Sequence, residues 1–166
     1  MSSLSAVAPA ALSADDTKRV LELAAVLNGA WVLDGVRSDS IIPLLKEMGV
    51  PWLVQKMAAS AKPSWEVLLS ADGLVHTVSG VMANTKQTYP FAAPSTHVLG
   101  DGSKHPAQLA ATSEGHVTLT VQHPKGDIIT TYTHEGSSGE SLLIAFIEVR
   151  RGGASVVRLK RVFRRK

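Results

Sequence analysis

The sequence predicts a small, mainly β protein with one core, in which antiparallel strands close into a barrel after a helical opening. The length of 166 residues suits a single domain. After residue 64, turn signals recur at short intervals, and apolar and polar residues alternate between them. Such a chain closes most easily into a barrel, because closure removes the exposed edge strands. A barrel of this size has room inside for one small ligand.

Composition excludes several kinds of site. Hydrophobic residues make up 45% of the chain and charged residues 19%, which is typical of a globular protein. The chain has no cysteine, so disulfides, thiolate zinc sites, iron–sulfur clusters and cysteine nucleophiles are excluded. The longest apolar runs, 21–27 and 142–147, are far shorter than the ~20 residues of a membrane-spanning helix.

The first 28 residues divide into a tail and a helix. Residues 1–12 lack the basic start and continuous apolar region of a secretory signal, so we expect a flexible tail. Residues 13–28 are expected to form a helix, because Asp15 and Asp16 stand near its start and Gly29 can end it. The helix has three possible placements: across an open end of the barrel, against its outside, or on a membrane. Its apolar residues recur at helical spacing and are Val20, Leu23, Ala24 and Leu27.

Two more short helices are predicted between a first strand and the long strand region. Ser38 or Asp39 is expected to cap the first of them, and Gly49 to end it. Pro51 suits the first turn of the second helix, and Pro63 forbids its continuation. Almost no loop separates the two helices, which predicts a tight helix-turn-helix.

Eight or nine strands are expected after the helix pair, joined by short turns rich in Gly, Asp and Ser. None of the turns is long enough to carry a catalytic loop. The strands delimited most clearly are 65–70, 74–84, 116–122, 127–134, 141–151 and 155–164.

Spaced motifs in the first part of the chain resemble a known family. Gly29-Ala30-Trp31 is followed by Met48-Gly49-Val50, then by Lys56 and Ala58, and finally by Ala61-Lys62-Pro63. In order and spacing this set resembles the opening of the cytosolic fatty-acid-binding proteins. That family has a Gly-x-Trp strand, a helix pair with Leu-Gly-Val, and a Lys-Pro before the second strand. The resemblance covers residues 27–164 and leaves the preceding helix unmatched.

The resemblance implies a ten-stranded up-and-down barrel over residues 29–166, covered by the helix pair as a lid. It also implies a function: binding and transport of a fatty acid or similar hydrophobic carboxylate in the internal cavity of a cytoplasmic, non-enzymatic protein. We expect no cofactor, no metal and no nucleic-acid partner.

The family's last strand carries an Arg-x-Tyr pair that holds the ligand carboxylate, and this pair falls at Arg161 and Phe163. Alternation along the strand agrees, because an inward Arg161 also turns Leu159 and Phe163 inward. Arginine suits this role, since its planar fork matches the two oxygens of a carboxylate. The same register turns three other basic side chains toward water: Arg158, Lys160 and Arg164.

Counting from Gly153 gives a competing register, which places Arg158 at the family's arginine position. Both registers stay open, with Arg161 favoured.

Phe163 lacks the hydroxyl of the family's tyrosine. The family's second arginine falls at Thr133, which has no charge, and with Thr131 and Thr133 inward we expect both to contact ligand. A one-residue bulge would reverse the facing of that strand.

On the helix pair, Leu53 and Met57 are candidates for ligand contact at the entrance, because a flexible thioether adapts to varied lipid tails. Basic residues around the pair indicate either transient contact with an anionic membrane or a solvated helix face. They are Lys46, Lys56 and Lys62.

Two other classes of function remain as alternatives. An enzyme on a lipocalin-like barrel is the first, although the six histidines lack the spacing of a helical metal site and no nucleophile motif is present. A basic tail that binds nucleic acid or a membrane surface is the second. With 5% aromatic residues, the chain has few side chains on which bases could stack.

Overall fold

Three helices and ten strands make up the protein in a computed structural model, which describes residues 10–80, 84–137 and 139–166. The expectation for residues 1–12 falls mostly on residues 1–9, which lie outside the described residues. In chain order the elements are α1 (Ala14–Leu27), β1 (Gly29–Leu33), α2 (Ile42–Glu47), α3 (Trp52–Ser60), β2 (Ser64–Leu69), β3 (Gly73–Ser79), β4 (Thr85–Pro90), β5 (Ser95–Val98), β6 (Lys104–Ala111), β7 (Val117–His123), β8 (Gly126–Ser137), β9 (Glu140–Arg151) and β10 (Ala154–Arg165).

The strands form one antiparallel sheet in the order β4-β3-β2-β1-β10-β9-β8-β7-β6-β5. Strands that follow one another in the chain are neighbours, except β4 and β5 at the two ends of the sheet. The first strand, β1, pairs with the last, β10, as in an up-and-down barrel. The predicted fold class is confirmed. Within the part of the chain that the structure describes, no helix has the length and hydrophobicity to cross a bilayer.

One predicted strand is wrong. The alternation over residues 74–84 predicts a single strand, but β3 ends at Ser79 and β4 begins at Thr85. Gly80 has a φ of +80°, which an L side chain rarely adopts, so the chain turns there. Alternation alone could not show this turn, because apolar residues continue through it.

The two ends of the sheet, β4 and β5, are joined by side chains rather than by a strand ladder. The Gln87 side chain donates to the Val98 carbonyl oxygen at 3.2 Å and accepts from its backbone N–H at 2.7 Å. The Tyr89 hydroxyl lies 2.6 Å from Nδ1 of His97. These polar contacts close the barrel where backbone pairing stops.

Strand pairing identifies the inner face of the barrel. Trp31 lies opposite Trp65 on β2 and Arg165 on β10, and alternate residues of a strand share a face. Trp65 also meets Tyr132 of β8, with ring centres 6.1 Å apart. Because β2 and β8 are far apart in the sheet order, this contact crosses the interior, and the face that carries Trp31 is the inner one.

Helix α1 closes one end of the barrel, which settles the placement that the sequence left open. Its apolar residues belong to the same core cluster as Trp31 and other inner-face side chains. Trp31 Nε1 donates to the Leu27 carbonyl oxygen at 2.8 Å. The Arg165 guanidinium donates to the Val26 and Asn28 carbonyl oxygens and lies 4.0 Å from the Trp31 ring centre. Arg165 therefore satisfies carbonyls left free at the end of the helix.

Helices α2 and α3, hereafter the lid, cover the other end. Glu47 at the end of α2 pairs with Arg151, next to the β9–β10 turn, at 2.7 Å. The prediction that Ser38 or Asp39 caps α2 is wrong, because both side chains accept hydrogen bonds from the backbone of β10 instead. Ser38 Oγ accepts from the Val162 N–H, and Asp39 Oδ2 accepts from the Lys160 N–H, each at 2.8 Å.

We expect Leu27→Ala to lower the free energy of unfolding by about 2–5 kcal/mol, because it opens a cavity between α1 and the barrel. Leu27 is 1% exposed, whereas Leu21 of the same helix is 51% exposed. Leu21→Ala is therefore the matched control, with an expected change within about 0.5 kcal/mol. Urea unfolding followed by tryptophan fluorescence measures both variants. Equal effects would show that α1 does not pack into the core.

Candidate functional site: a buried arginine under the lid

Arg161 faces the inside of the barrel. It lies opposite Ala145 of β9 and on the inner face with Leu159 and Phe163, and it is only 9% exposed. Arg158 lies on the outer face, where its side chain is exposed and reaches Ser155. The register that favours Arg161 as the inward arginine is therefore confirmed.

The Arg161 guanidinium is only partly satisfied by the protein. Its Nη1 donates to the Asp39 carbonyl oxygen at 2.6 Å, and it forms no ion pair with any described residue. The Asp39 carboxylate is itself held by the Lys160 backbone. Burial lowers the pKa of Arg161, which the charge of Asp39 partly offsets, and the guanidinium stays protonated. Most of its five N–H donors are free for an anion.

A cavity of about 310 Å³ lies beside Arg161, between the start of the lid, the end of α3 and the loop after β1. This volume is near the lower bound of the ~300–1,000 Å³ of small-molecule sites. Its lining combines the buried Arg161 with apolar side chains such as Leu33 and Ile41, with three serines, and with the charged side chains of Asp39 and Lys62.

Leu159 and Phe163 lie on either side of Arg161 along the inner face, and both are buried. Phe163 stacks on Trp65 with ring centres 4.0 Å apart. The β10 wall next to the guanidinium is therefore apolar and aromatic, and Phe163 gives Arg161 no neighbouring phenol hydroxyl on this strand.

The prediction that Thr131 and Thr133 face inward is wrong. Thr133 is buried on the outer side of the sheet and donates to the Ile144 carbonyl oxygen at 3.0 Å. Thr131 lines a shallow depression on the outer surface beside Phe146 and Lys160. The inner residue of this part of β8 is Tyr132, which lies opposite Ala145.

The cause of this error is the β7–β8 turn. Gly126 lies opposite His123 and is already the first residue of β8, on the inner face. Counting from Gly126 by the family's spacing therefore shifts the facing of every later residue of the strand by one. The resemblance placed a second arginine at Thr133, but the inward position carries the uncharged Tyr132.

Leu53 and Met57 do not contact the interior. They are 63% and 49% exposed, and with Trp52 they form an apolar outer surface on α3. Val54 and Ala58, one position further along the helix in each case, are partly buried, as is Gln55. The helix is thus rotated so that the Leu53 and Met57 side chains point to water, and ligand contact by these two residues at the entrance stays a prediction.

Sequence reasoning missed His76 as an interior polar residue. It lies on the inner face of β3, opposite Val67, and its ring meets Trp65 edge-on at 4.5 Å. Burial lowers the pKa of His76 to about 4, and the nearby His97 adds to this shift. The alternation of β3 could have indicated the inward facing, because Leu74 and Val78 flank it at a spacing of two.

Most other inner histidines have partners. His97 contacts the Tyr89 hydroxyl, and Nε2 of His134 lies 2.6 Å from Ser141 Oγ. His105 and His123 lie side by side with ring centres 4.7 Å apart. Within residues 10–80, 84–137 and 139–166, no three His, Cys, Asp or Glu side chains are arranged to hold a metal ion.

The barrel, its helical lid and the inward Arg161 define a class of protein, a lidded ten-stranded β-barrel with a buried arginine inside. No protein-family model matches the chain. It is similar to a fatty acid-binding protein of Tyrophagus putrescentiae, at 32% identity over 114 residues, which are 66% of this chain and 83% of the relative. The chain belongs to the fatty-acid-binding protein family, as the motifs around Trp31 and Pro63 predict.

A second sequence relative and two solved structures are also similar to this chain. A sodium/calcium exchanger regulatory protein of Doryteuthis pealeii is 25% identical over 122 residues, covering 74% of this chain and 88% of the relative. The Schistosoma mansoni fatty acid binding protein in complex with arachidonic acid superposes with a TM-score of 0.70 at 18% identity, covering 87% and 98% of the two chains. Lipid binding protein 8 of Caenorhabditis elegans superposes with a TM-score of 0.66 at 18% identity, covering 95% of this chain and 100% of that protein.

Proposed function

We propose that this protein binds one long-chain fatty acid, or a similar hydrophobic carboxylate, inside its barrel and carries it through the cytoplasm. The observation that carries this proposal is the buried Arg161, which lines a cavity, has one carbonyl partner and forms no ion pair within 4.0 Å in the described part of the chain. A desolvated cation without an anion is costly, typically by several kcal/mol. A ligand carboxylate supplies both the missing charge and two acceptors for the guanidinium fork.

The rest of the inner wall supports an apolar tail. Leu159 and Phe163 flank the arginine, and Ile147 and Val149 of β9 continue the buried inner face. Because the cavity is small, a long acyl chain requires the lid to move outward or interior side chains to shift. The lid is suited to such movement, since α2 and α3 bury no side chain completely.

The proposed role is binding without chemistry. The inner-face neighbours of Arg161 on β10, Leu159 and Phe163, are apolar and offer a bound carboxylate no reactive group. Relatives support a carrier: one is named a fatty acid-binding protein and another structure contains arachidonic acid.

We expect Arg161→Ala to weaken oleic acid binding by about 10- to 100-fold, the value of one or two charge-assisted hydrogen bonds. Arg158→Ala is the matched control and should leave the affinity unchanged, because Arg158 lies on the outer face. Oleyl alcohol has the same tail without the carboxylate, and its affinity should be similar in all three proteins. Displacement of a fluorescent fatty acid measures these affinities.

Two results would contradict the proposal. Equal losses from Arg161→Ala and Arg158→Ala would show that neither side chain holds the carboxylate inside. An equal loss of oleyl alcohol and oleic acid affinity in Arg161→Ala would show that the substitution damages the barrel rather than a head-group site.

We further propose that the outer surface of α3 contacts anionic membranes when ligand is transferred. Trp52, Leu53 and Met57 are exposed apolar side chains on this helix, and the Lys56 ammonium lies 5.8 Å from the Trp52 ring centre. Lys46 on α2 is also exposed. An exposed apolar surface bordered by lysines suits an interface with acidic headgroups, at about 1 kcal/mol per basic residue near the bilayer.

We expect the double substitution Trp52→Ser, Leu53→Ser to slow transfer of a fluorescent fatty acid to phosphatidylserine-containing vesicles several-fold. Added salt should slow the unmodified protein on these vesicles and have little effect on pure phosphatidylcholine vesicles. Val36→Ser is the control, because Val36 is exposed but lies outside the lid. A transfer rate that does not change with vesicle concentration would contradict membrane contact, since the ligand would then pass through water.

A further inference from the structure

A buried nitrogen without a hydrogen-bond partner lies inside the barrel. It is Nε2 of His76, which no solvent reaches and no described residue contacts by a hydrogen bond. More than about 90% of buried polar groups in proteins are paired, so an unpaired one requires an explanation. The inner histidines His97 and His134 have their partners in Tyr89 and Ser141, which makes His76 the exception among these three.

The surroundings of His76 are aromatic and come from separate walls of the barrel. Trp65 of β2 contacts its ring edge-on, and Tyr132 of β8 faces it edge-on with ring centres 5.9 Å apart. Tyr132 is buried, and its phenol ring lies beside that of His76. Two uncharged polar side chains therefore face each other across the interior, and Nε2 of the imidazole has unused hydrogen-bonding capacity.

Both groups are neutral at physiological pH. Burial holds the pKa of His76 at about 4 and raises the pKa of the Tyr132 hydroxyl above its ordinary value. A carboxylate or phosphate placed here would be desolvated without a cation beside it. A hydroxyl, epoxide or keto oxygen is instead matched to an imidazole nitrogen and a phenol, which together can donate and accept.

Contacts connect this place to Arg161. Phe163 is the next inner-face residue after Arg161 on β10, and it stacks on Trp65, which in turn contacts His76. A tail whose carboxylate lies on Arg161 and which passes along Phe163 and Trp65 is directed toward His76.

We propose that His76 and Tyr132 form a second, uncharged polar subsite that binds an oxygen atom in the middle of the acyl chain. The preferred ligands are then hydroxylated or otherwise oxygenated fatty acids rather than plain ones. This inference rests on the proposed function, because it needs the carboxylate to lie on Arg161.

The test compares stearic acid with 10-hydroxystearic and 12-hydroxystearic acid by calorimetric titration. In the unmodified protein we expect at least one hydroxy acid to bind about tenfold more tightly than stearic acid, the value of one hydrogen bond to an otherwise unpaired buried group. His76→Phe keeps the ring and removes the nitrogen, so this preference should disappear while stearic acid still binds.

The matched control is His134→Phe, which makes the same change at an inner-face histidine that already has a partner. It should alter the affinities of the three acids by the same factor and so keep the preference. Tyr132→Phe should reduce the preference without affecting stearic acid.

The inference is overturned if the unmodified protein binds all three acids equally, or if His76→Phe retains the preference. Should none of the three acids bind, the proposed function itself fails. Thermal unfolding of the ligand-free protein checks the premise: His76→Phe should unfold at the same or a higher temperature, because it removes an unpaired buried nitrogen. A lower temperature would show that the nitrogen is satisfied and would also overturn the inference.

Discussion

The candidate site of this protein depends on the desolvation of one guanidinium, that of Arg161. Arg161 is carried inward by the alternation of β10, between side chains that pack the barrel wall. The loop after β1 offers it the Asp39 carbonyl, while the nearby Asp39 carboxylate is held by the Lys160 backbone. A surface arginine would be satisfied by water. Held under the lid with one protein hydrogen bond, this cation is the basis of the proposed preference for an acid, because little solvent is present to compete with an anion for it.

The opposite end of the barrel explains how such a hollow site can be stable. There α1 adds its buried stripe to the core, and Trp31, Leu27 and Arg165 tie the helix to the first and last strands. The protein thus separates a packed end, which contributes hydrophobic stabilisation, from a lid end where α2 and α3 bury no residue fully. The proposed His76 subsite lies between the two, where aromatic side chains from three strands meet.

Much of the fold could be predicted from the sequence, because its signals are local: helical spacing in α1, prolines and glycines around the lid, and alternation along β10. Which residues of β8 face inward could not be predicted, because this depends on whether Gly126 belongs to the turn or to the strand. A shift of one residue places Tyr132 instead of Thr133 on the inner face. Which face of α3 packs against the barrel could not be predicted either, because Leu53 and Val54 are both apolar and only packing decides which of them is buried. His76 was overlooked because the sequence shows only a polar residue within an alternating strand. Its lack of a hydrogen-bond partner becomes visible only in the structure.

A crystal structure of the protein with oleic acid tests the central claim most directly. The account predicts one fatty acid inside the barrel, with a carboxylate oxygen within hydrogen-bond distance of the Arg161 guanidinium and the tail against the inner faces of β9 and β10. Oleic acid bound only to the outer surface, or an inward Arg161 that contacts protein groups alone while the acid lies elsewhere in the barrel, would contradict it.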